Sequence, residues 1–284
     1  METAREIYDF LVRNQASGVP QNEKEANARF LIEELFGISR NDWVVNKPIE
    51  LTLEAYQKLK ELPGRLLEQE PVQYITGHAW FMDLKIKVNP SVLIPRPETE
   101  ELVMLISNRY KNQSKIDMLD VGTGSGCIAL ALKKNFPLAN VTGIDKSTVA
   151  LNLAIANSIS LGLPVNFFPF DILNPMLNFS QQYDVIVSNP PYVLESETKM
   201  MQKNVLKFEP SEALFVDDDD PLLFYRMIAE RSIRDLKRDG SLFFEINEQM
   251  GEKVMLLLKN LGYENIEVIK DIHGKQRIVA GIMK

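Results

Sequence analysis

Hydrophobic positions change their period along this chain, and each change predicts a different architecture. From Arg5 to Glu70 the spacing is helical: Ile7, Phe10 and Leu11 share one face, Phe30, Leu31, Leu35 and Phe36 another, and Leu51, Tyr56, Leu59 and Leu62 a third. Asn22 followed by Glu25 predicts a cap on the second helix and Gly37 its end. Thr52 predicts the start of the next, which Pro63-Gly64 is expected to stop. Residues 1–72 therefore read as a small N-terminal all-helical domain, either a packing appendage or a platform for a protein partner. Residues 73–100 read as a linker. Alternation from Trp80 to Val88 predicts a β-hairpin, and Pro90, Pro95 and Pro97 predict a stiff, extended continuation.

From Ile116 onward strand and helix alternate. Strands are expected at 118–121, 140–144, 165–168, 183–188, 241–246, 266–270 and 277–280, and helices at 128–134, 149–160, 222–236 and 251–261. Such alternation predicts an α/β domain over 101–284, with a mostly parallel seven-stranded sheet covered by helices on both faces. Ligands of such sheets sit beyond the carboxyl ends of the strands, near the switch in strand order. The loops after Val121, Ile144, Phe168 and Ser188 are thus where chemistry is expected.

Composition narrows the classes. The hydrophobic share of 45% and charged share of 25% are those of a folded soluble protein, which argues against long disorder or a fibre. A single cysteine, Cys127, excludes an internal disulfide, and with two histidines no His/Cys zinc site is available, so no metal is expected. No apolar run is long enough to cross a bilayer and no signal-peptide core is visible, so a cytoplasmic protein without membrane contact is expected. A monomer is the default expectation. Lys plus Arg number 32 against 39 Asp plus Glu, a net charge of −7, which argues against stable nucleic-acid binding.

Two segments carry chemistry. In Asp120-Val121-Gly122-Thr123-Gly124-Ser125-Gly126, glycines on alternate positions permit close approach of backbone to a ligand, and the following helix offers free N–H groups. Asp145 ends the second strand, about 20 residues beyond the loop, where a carboxylate can accept from a ribose diol. The pair predicts an adenosine-containing cofactor, and the spacing, unlike GxGxxG, leans away from a pyrophosphate. Cys127 reads as a small buried residue at a helix start. The second segment, Asn189-Pro190-Pro191-Tyr192, follows an apolar strand. Its prolines remove two N–H donors and leave the Pro190 carbonyl as an acceptor, Asn189 adds a side-chain carbonyl, and Tyr192 adds a flat face. Two acceptors and a stacking surface suit a planar NH2 group, either a carboxamide or the exocyclic amine of a base.

The first segment resembles the S-adenosylmethionine loop of class I methyltransferases, a Rossmann-like fold, and the second resembles the motif of those that methylate amide or exocyclic amino nitrogens. Residues 71–77 (PVQYITG), 94–100 (IPRPETE), Glu209-Pro210 with 213–215 (ALF), and 271–277 (DIHGKQR) narrow the likeness to one branch. They resemble the bacterial glutamine N5-methyltransferases that modify the GGQ glutamine of peptide chain release factors. The resemblance spans nearly the whole chain and is weakest over 1–70. It implies that S-adenosyl-L-methionine is bound by Gly122, Thr123, Gly124, Ser125 and Gly126 through its methionine part, by Asp145 through the ribose, and by Asp171 and Ile172 at the adenine. Asn189 would touch cofactor and substrate, with Pro190, Pro191 and Tyr192 completing the glutamine pocket; Asn189, Pro190 and Tyr192 are the catalytic candidates. Residues 96–100 would lie near the cofactor. Asp217 to Asp220 departs from the family pattern and reads as a solvated loop. Glutamine methylation of a large-subunit ribosomal protein and adenine-N6 methylation of DNA are the alternatives.

Overall fold

The computed structural model describes residues 3–174 and 181–284. Chain contacts divide the protein into two compact units, Met1–His78 with Gln202–Phe208, and Ala79–Met201 with Glu209–Lys284.

The first unit is helical: α1 (Ala4–Arg13), α2 (Gln21–Phe36), α3 (Arg40–Val44), α4 (Leu53–Leu67), α5 (Val72–Thr76) and, from further along the chain, α9 (Lys203–Phe208). Thr3 and Glu6 cap α1 reciprocally, side chain to backbone in both directions. The cap expected at Asn22 does not form. Pro20 fixes the extended turn two residues earlier, so α2 starts at Gln21 with Asn22 already inside it. Gly37 ends α2 in the left-handed conformation, and the Thr52 hydroxyl accepts from Ala55 N–H at 3.2 Å to start α4, both as expected. Pro63-Gly64 does not stop α4. A proline deletes one N–H bond, and burial of Leu59, Leu62 and Leu66 along one face carries the helix past the gap. Ile7, Leu11, Leu31 and Leu59 centre the core. Tyr56, expected there, is exposed under the Lys60 ammonium.

A hairpin follows, β1 (His78–Phe81) and β2 (Leu84–Lys87), and all of it after His78 belongs to the second unit. Its two turn residues, Met82 and Asp83, both take positive φ, the geometry that matches strand twist in a two-residue turn. The chain then turns at once, Val92 N–H donating to the Asn89 carbonyl at 3.1 Å across Pro90, and runs without helix or strand to Arg96. Pro97 is the first residue of α6 (Pro97–Tyr110), where its missing N–H is no loss, and Leu102, Val103, Ile106 and Tyr110 bury one face; the continuation expected to be extended is a helix from this point.

Alternation follows as expected: β3 (Asp117–Val121), α7 (Cys127–Asn135), β4 (Asn140–Asp145), α8 (Thr148–Leu161), β5 (Asn166–Pro169) and β6 (Tyr183–Ser188). Then come the short pair β7 (Val193–Leu194) and β8 (Phe215–Val216), α10 (Leu223–Asp235), β9 (Leu236–Glu245), α11 (Gly251–Asn260), β10 (Glu264–Lys270) and β11 (Gln276–Ile282). Seven strands form one sheet in the order β10-β11-β9-β6-β3-β4-β5, and β11 alone runs against the others. One face, including Leu119, Ile186, Leu242 and Phe244, packs on Tyr225 and Ile228 of α10 and Val254 and Leu258 of α11. On the opposite face Phe243 meets Tyr110 of α6 edge to face. The chain winds outward from β3 through β4 to β5, then returns to β6 on the other flank of β3. That reversal leaves a crevice between the carboxyl ends of β3 and β6.

Candidate active site

Strand register decides which residues meet at this crevice. Val121 pairs with Ile144 and Ser188, and Ser188 pairs with Phe244, so Gly122, Asp145, Asn189 and Glu245 each follow one of these aligned residues, at or just past the carboxyl end of its strand. Across the β3–β6 junction the Ser188 hydroxyl donates to the Val121 carbonyl at 2.7 Å. A cavity of about 490 Å³ opens there, a volume suited to a cofactor-sized ligand. Gly122, Gly124, Asp145, Asp171, Ile172, Asn189, Pro190 and Pro191 line it, so most of the residues singled out in the sequence converge.

The glycine loop is held from three sides. Gly122 and Thr123 N–H groups both donate to the Ile144 carbonyl, and buried Asn157 of α8 donates to the Ser125 carbonyl while tying down Lys87 of the hairpin. Gly122 and Gly124 have φ of +73° and +53°, and nothing lies within 4 Å of where a Cβ would stand on either. Backbone is thereby presented bare to the cavity. Gly126 serves packing instead: its Cβ would meet Ala154, Phe167 and Leu130 at 3.1–3.3 Å. Thr123 turns from the cavity to donate to Asp120 at 2.6 Å, and Ser125 is buried. Those two side chains therefore shape the loop rather than line the cavity. Asp145 accepts from Gly124 N–H through one oxygen and from Ser147 N–H through the other, each at 2.9 Å. Burial pushes its carboxyl above the ordinary range against the pull of those two donors. An open glycine cradle flanked by an anchored carboxylate fits the methionine and ribose parts of S-adenosyl-L-methionine, and Phe170, Asp171 and Ile172 offer a largely apolar wall for a base.

Asn189 sits where this cavity meets a smaller one of about 50 Å³, lined also by Arg96, Pro190 and Tyr192. Pro191 lies on the large cavity only. Asn189 Nδ2 donates to Thr99 Oγ1 at 3.2 Å, Thr99 donates to Glu245 Oε2 at 2.6 Å, and Tyr192 donates to Glu245 Oε1 at 3.0 Å. Burial raises the Glu245 carboxyl, opposed by those hydrogen bonds and by the Arg277 charge. Desolvation, with Glu245 adjacent, holds the Tyr192 phenol far above its usual range, so it remains a neutral donor. Sequence reading passed over Glu245. Its signal was a single carboxylate within an apolar run, 242–246, in the half of the strand that is buried throughout. Arg96 and Glu209, from two of the quoted motifs, form an ion pair at 2.6 Å beside the small cavity.

Two further expectations meet the structure here. Cys127 opens α7 as expected but is half-buried rather than buried; desolvation still pushes its thiol up to about 12, which leaves it protonated at neutral pH. The Asp217 to Asp220 run is more than a solvated loop: Asp218 accepts from Ser196 backbone and hydroxyl, and Asp220 pairs with Arg226. Two of the four acids, Asp218 and Asp220, therefore staple the approach to α10.

Sheet order, glycine loop and the motif after β6 define a class I methyltransferase fold. A solved methyltransferase from Pyrococcus furiosus superposes with a TM-score of 0.51 at 18% identity, covering 70% of this chain and 88% of that one. Family models of the methyltransferase small domain and of the PrmC N-terminal domain match residues 99–212 and 13–77. The release factor glutamine methyltransferase of Flavobacterium psychrophilum is 41% identical over 263 residues, covering 91% of this chain and 92% of its own. That of Bacteroides thetaiotaomicron is 43% identical over 260 residues, covering 92% and 93%. This chain belongs to the release factor glutamine methyltransferase family.

Proposed function

We propose that this enzyme transfers a methyl group from S-adenosyl-L-methionine to the side-chain amide nitrogen of the GGQ glutamine in peptide chain release factors. The observation that carries the reading is Asn189 at the junction of the two cavities, with its amide end tied to Thr99. S-adenosyl-L-methionine supplies an electrophilic methyl group on a sulfonium. Gly122 and Gly124 would hold its methionine part, Asp145 its ribose hydroxyls, and Asp171 with Ile172 its base, while the smaller cavity takes the glutamine side chain.

An amide nitrogen is a poor nucleophile because its lone pair is delocalised into the carbonyl. Asn189 Oδ1 and the Pro190 carbonyl accept its two hydrogens, which twists the lone pair out of conjugation and aims it toward the larger cavity. The buried, neutral phenol of Tyr192 closes the pocket wall and keeps water from competing. The nitrogen sheds a proton after transfer, once it is acidic, so this reading needs no strong base. The helical unit contributes no residue to either cavity, and we assign it to holding the protein substrate.

Incubation with methyl-labelled cofactor and release factor tests the reading. Label is expected in the release factor and absent when the GGQ glutamine is replaced by glutamate. Label that enters only a ribosomal protein or DNA would overturn it.

A further inference from the structure

Thr99 and Glu245 line neither cavity, yet they are the inner links of the chain that ends on Asn189. Both are almost wholly inaccessible, at 2% and 1% exposure, so no solvent can substitute for either partner. They come from opposite ends of the catalytic unit: Thr99 from the first turn of α6, and Glu245 from the last position of β9. Direction along such a chain is decided at its end. Glu245 takes one hydroxyl donor on each of its oxygens, Thr99 on Oε2 and Tyr192 on Oε1, so both ends of the carboxyl serve as acceptors. The one proton of the Thr99 hydroxyl is then committed to Glu245, and its oxygen can only accept. Whatever Asn189 turns toward Thr99 must be a donor.

We propose that Glu245, acting through Thr99, is the positioning device that sets which way round the Asn189 amide stands. NH2 is fixed inward, so the carbonyl Oδ1 faces the site as the acceptor that an incoming substrate NH2 needs. Without the chain the two ends of the amide are nearly isosteric and either can face the substrate. An Asn189 presenting NH2 to an amide NH2 sets donor against donor and rejects it. The same carboxylate holds the Tyr192 hydroxyl, so one buried group orients both polar side chains of the 189–192 motif. The inference rests on the glutamine-methylating reading above, and it assigns roles to two residues outside the contacting set.

Thr99→Val keeps shape and removes both hydrogen bonds, whereas Thr99→Ser keeps both. With release factor as substrate, Thr99→Val is expected to lower kcat by roughly 10–100-fold while the cofactor Kd from calorimetry stays within about 2-fold. Thr99→Ser is expected to recover to within about 3-fold of wild type on the same basis. Glu245→Gln offers one acceptor and one donor, no longer dictates the direction, and should fall between the two. Wild-type kcat in Thr99→Val, equal loss in Thr99→Ser, or a parallel collapse of cofactor affinity and melting temperature in Thr99→Val each overturn the positioning role; full activity in Glu245→Gln removes Glu245 from it. A wild-type enzyme that leaves the release factor unlabelled overturns the substrate reading instead, and the two failures are told apart by that control.

Discussion

Acidic side chains around the pocket differ in behaviour because their neighbours differ. Asp145 has both oxygens engaged by backbone N–H groups and still lines the cavity, so it is available to a diol. Asp145→Ala is expected to weaken cofactor binding by about 10–100-fold, equal to about 1.4–2.8 kcal/mol, and unchanged calorimetric affinity would remove it from the ribose role. Asn189→Ala should lower turnover by at least about 100-fold with a smaller change in cofactor affinity, since its acceptor acts on the substrate nitrogen. Asp120 shows the opposite environment. Wholly buried beneath the glycine loop, its carboxyl is raised from 3.8 to about 7. Between those values the folded state holds a proton that the unfolded state has released, so stability falls as pH rises across the window. Asp120→Asn cannot titrate, and its melting temperature should gain on that of wild type between pH 5 and pH 8. A constant difference across that range would show that Asp120 does not titrate there.

Elements answer to packing more than to local signals, and α4 shows this. Pro63 lies eleventh of fifteen residues in that helix. Pro63→Ala restores an N–H to the Leu59 carbonyl and is expected to raise stability by about 1–2 kcal/mol in denaturant titration, after the greater freedom of the unfolded chain is counted. Gly126→Ala pushes the other way. A positive φ of +83° and three side chains within 3.3 Å of the new methyl predict a loss of about 1–3 kcal/mol. Strands β3, β4 and β6 were legible because each is an apolar run bounded by a turn signal, and α7, α8, α10 and α11 because each has a wide apolar face. Helix α6 was hidden by its own start signal, since three nearby prolines read as extended chain although Pro97 opens a helix. Helix α3, with five residues, is too short to show a period at all.

At the scale of the molecule, the charge of −7 sharpens the choice among NH2-bearing substrates. A duplex is held mainly through its phosphates, and an acidic surface forgoes counterion release. Adenine-containing DNA is therefore expected to stay unlabelled at 50 mM salt, under conditions that label release factor. Each residue of the large cavity belongs to the unit Ala79–Met201 with Glu209–Lys284. Removal of residues 1–77 should accordingly leave cofactor binding within a few-fold while methylation of intact release factor drops. Loss of both together would show that the helical residues support the catalytic fold.

Periodicity by itself determined the order of helices and strands, since burying one face requires a spacing that is written locally. Loop chemistry likewise determined the glycine cradle and the motif at 189–192, because bare backbone without a Cβ is glycine's alone and a missing N–H is proline's alone. Tertiary structure alone decided what orients Asn189. Its partner Thr99 lies 90 residues before it in the chain, and Thr99 is 146 residues from Glu245. Those separations close only because β9 pairs beside β6 in a register that sets Glu245 level with Asn189, and because the N-terminal turn of α6 packs against that sheet edge. Register is a property of the assembled sheet, formed from strands distant in the chain, and no local spacing encodes it.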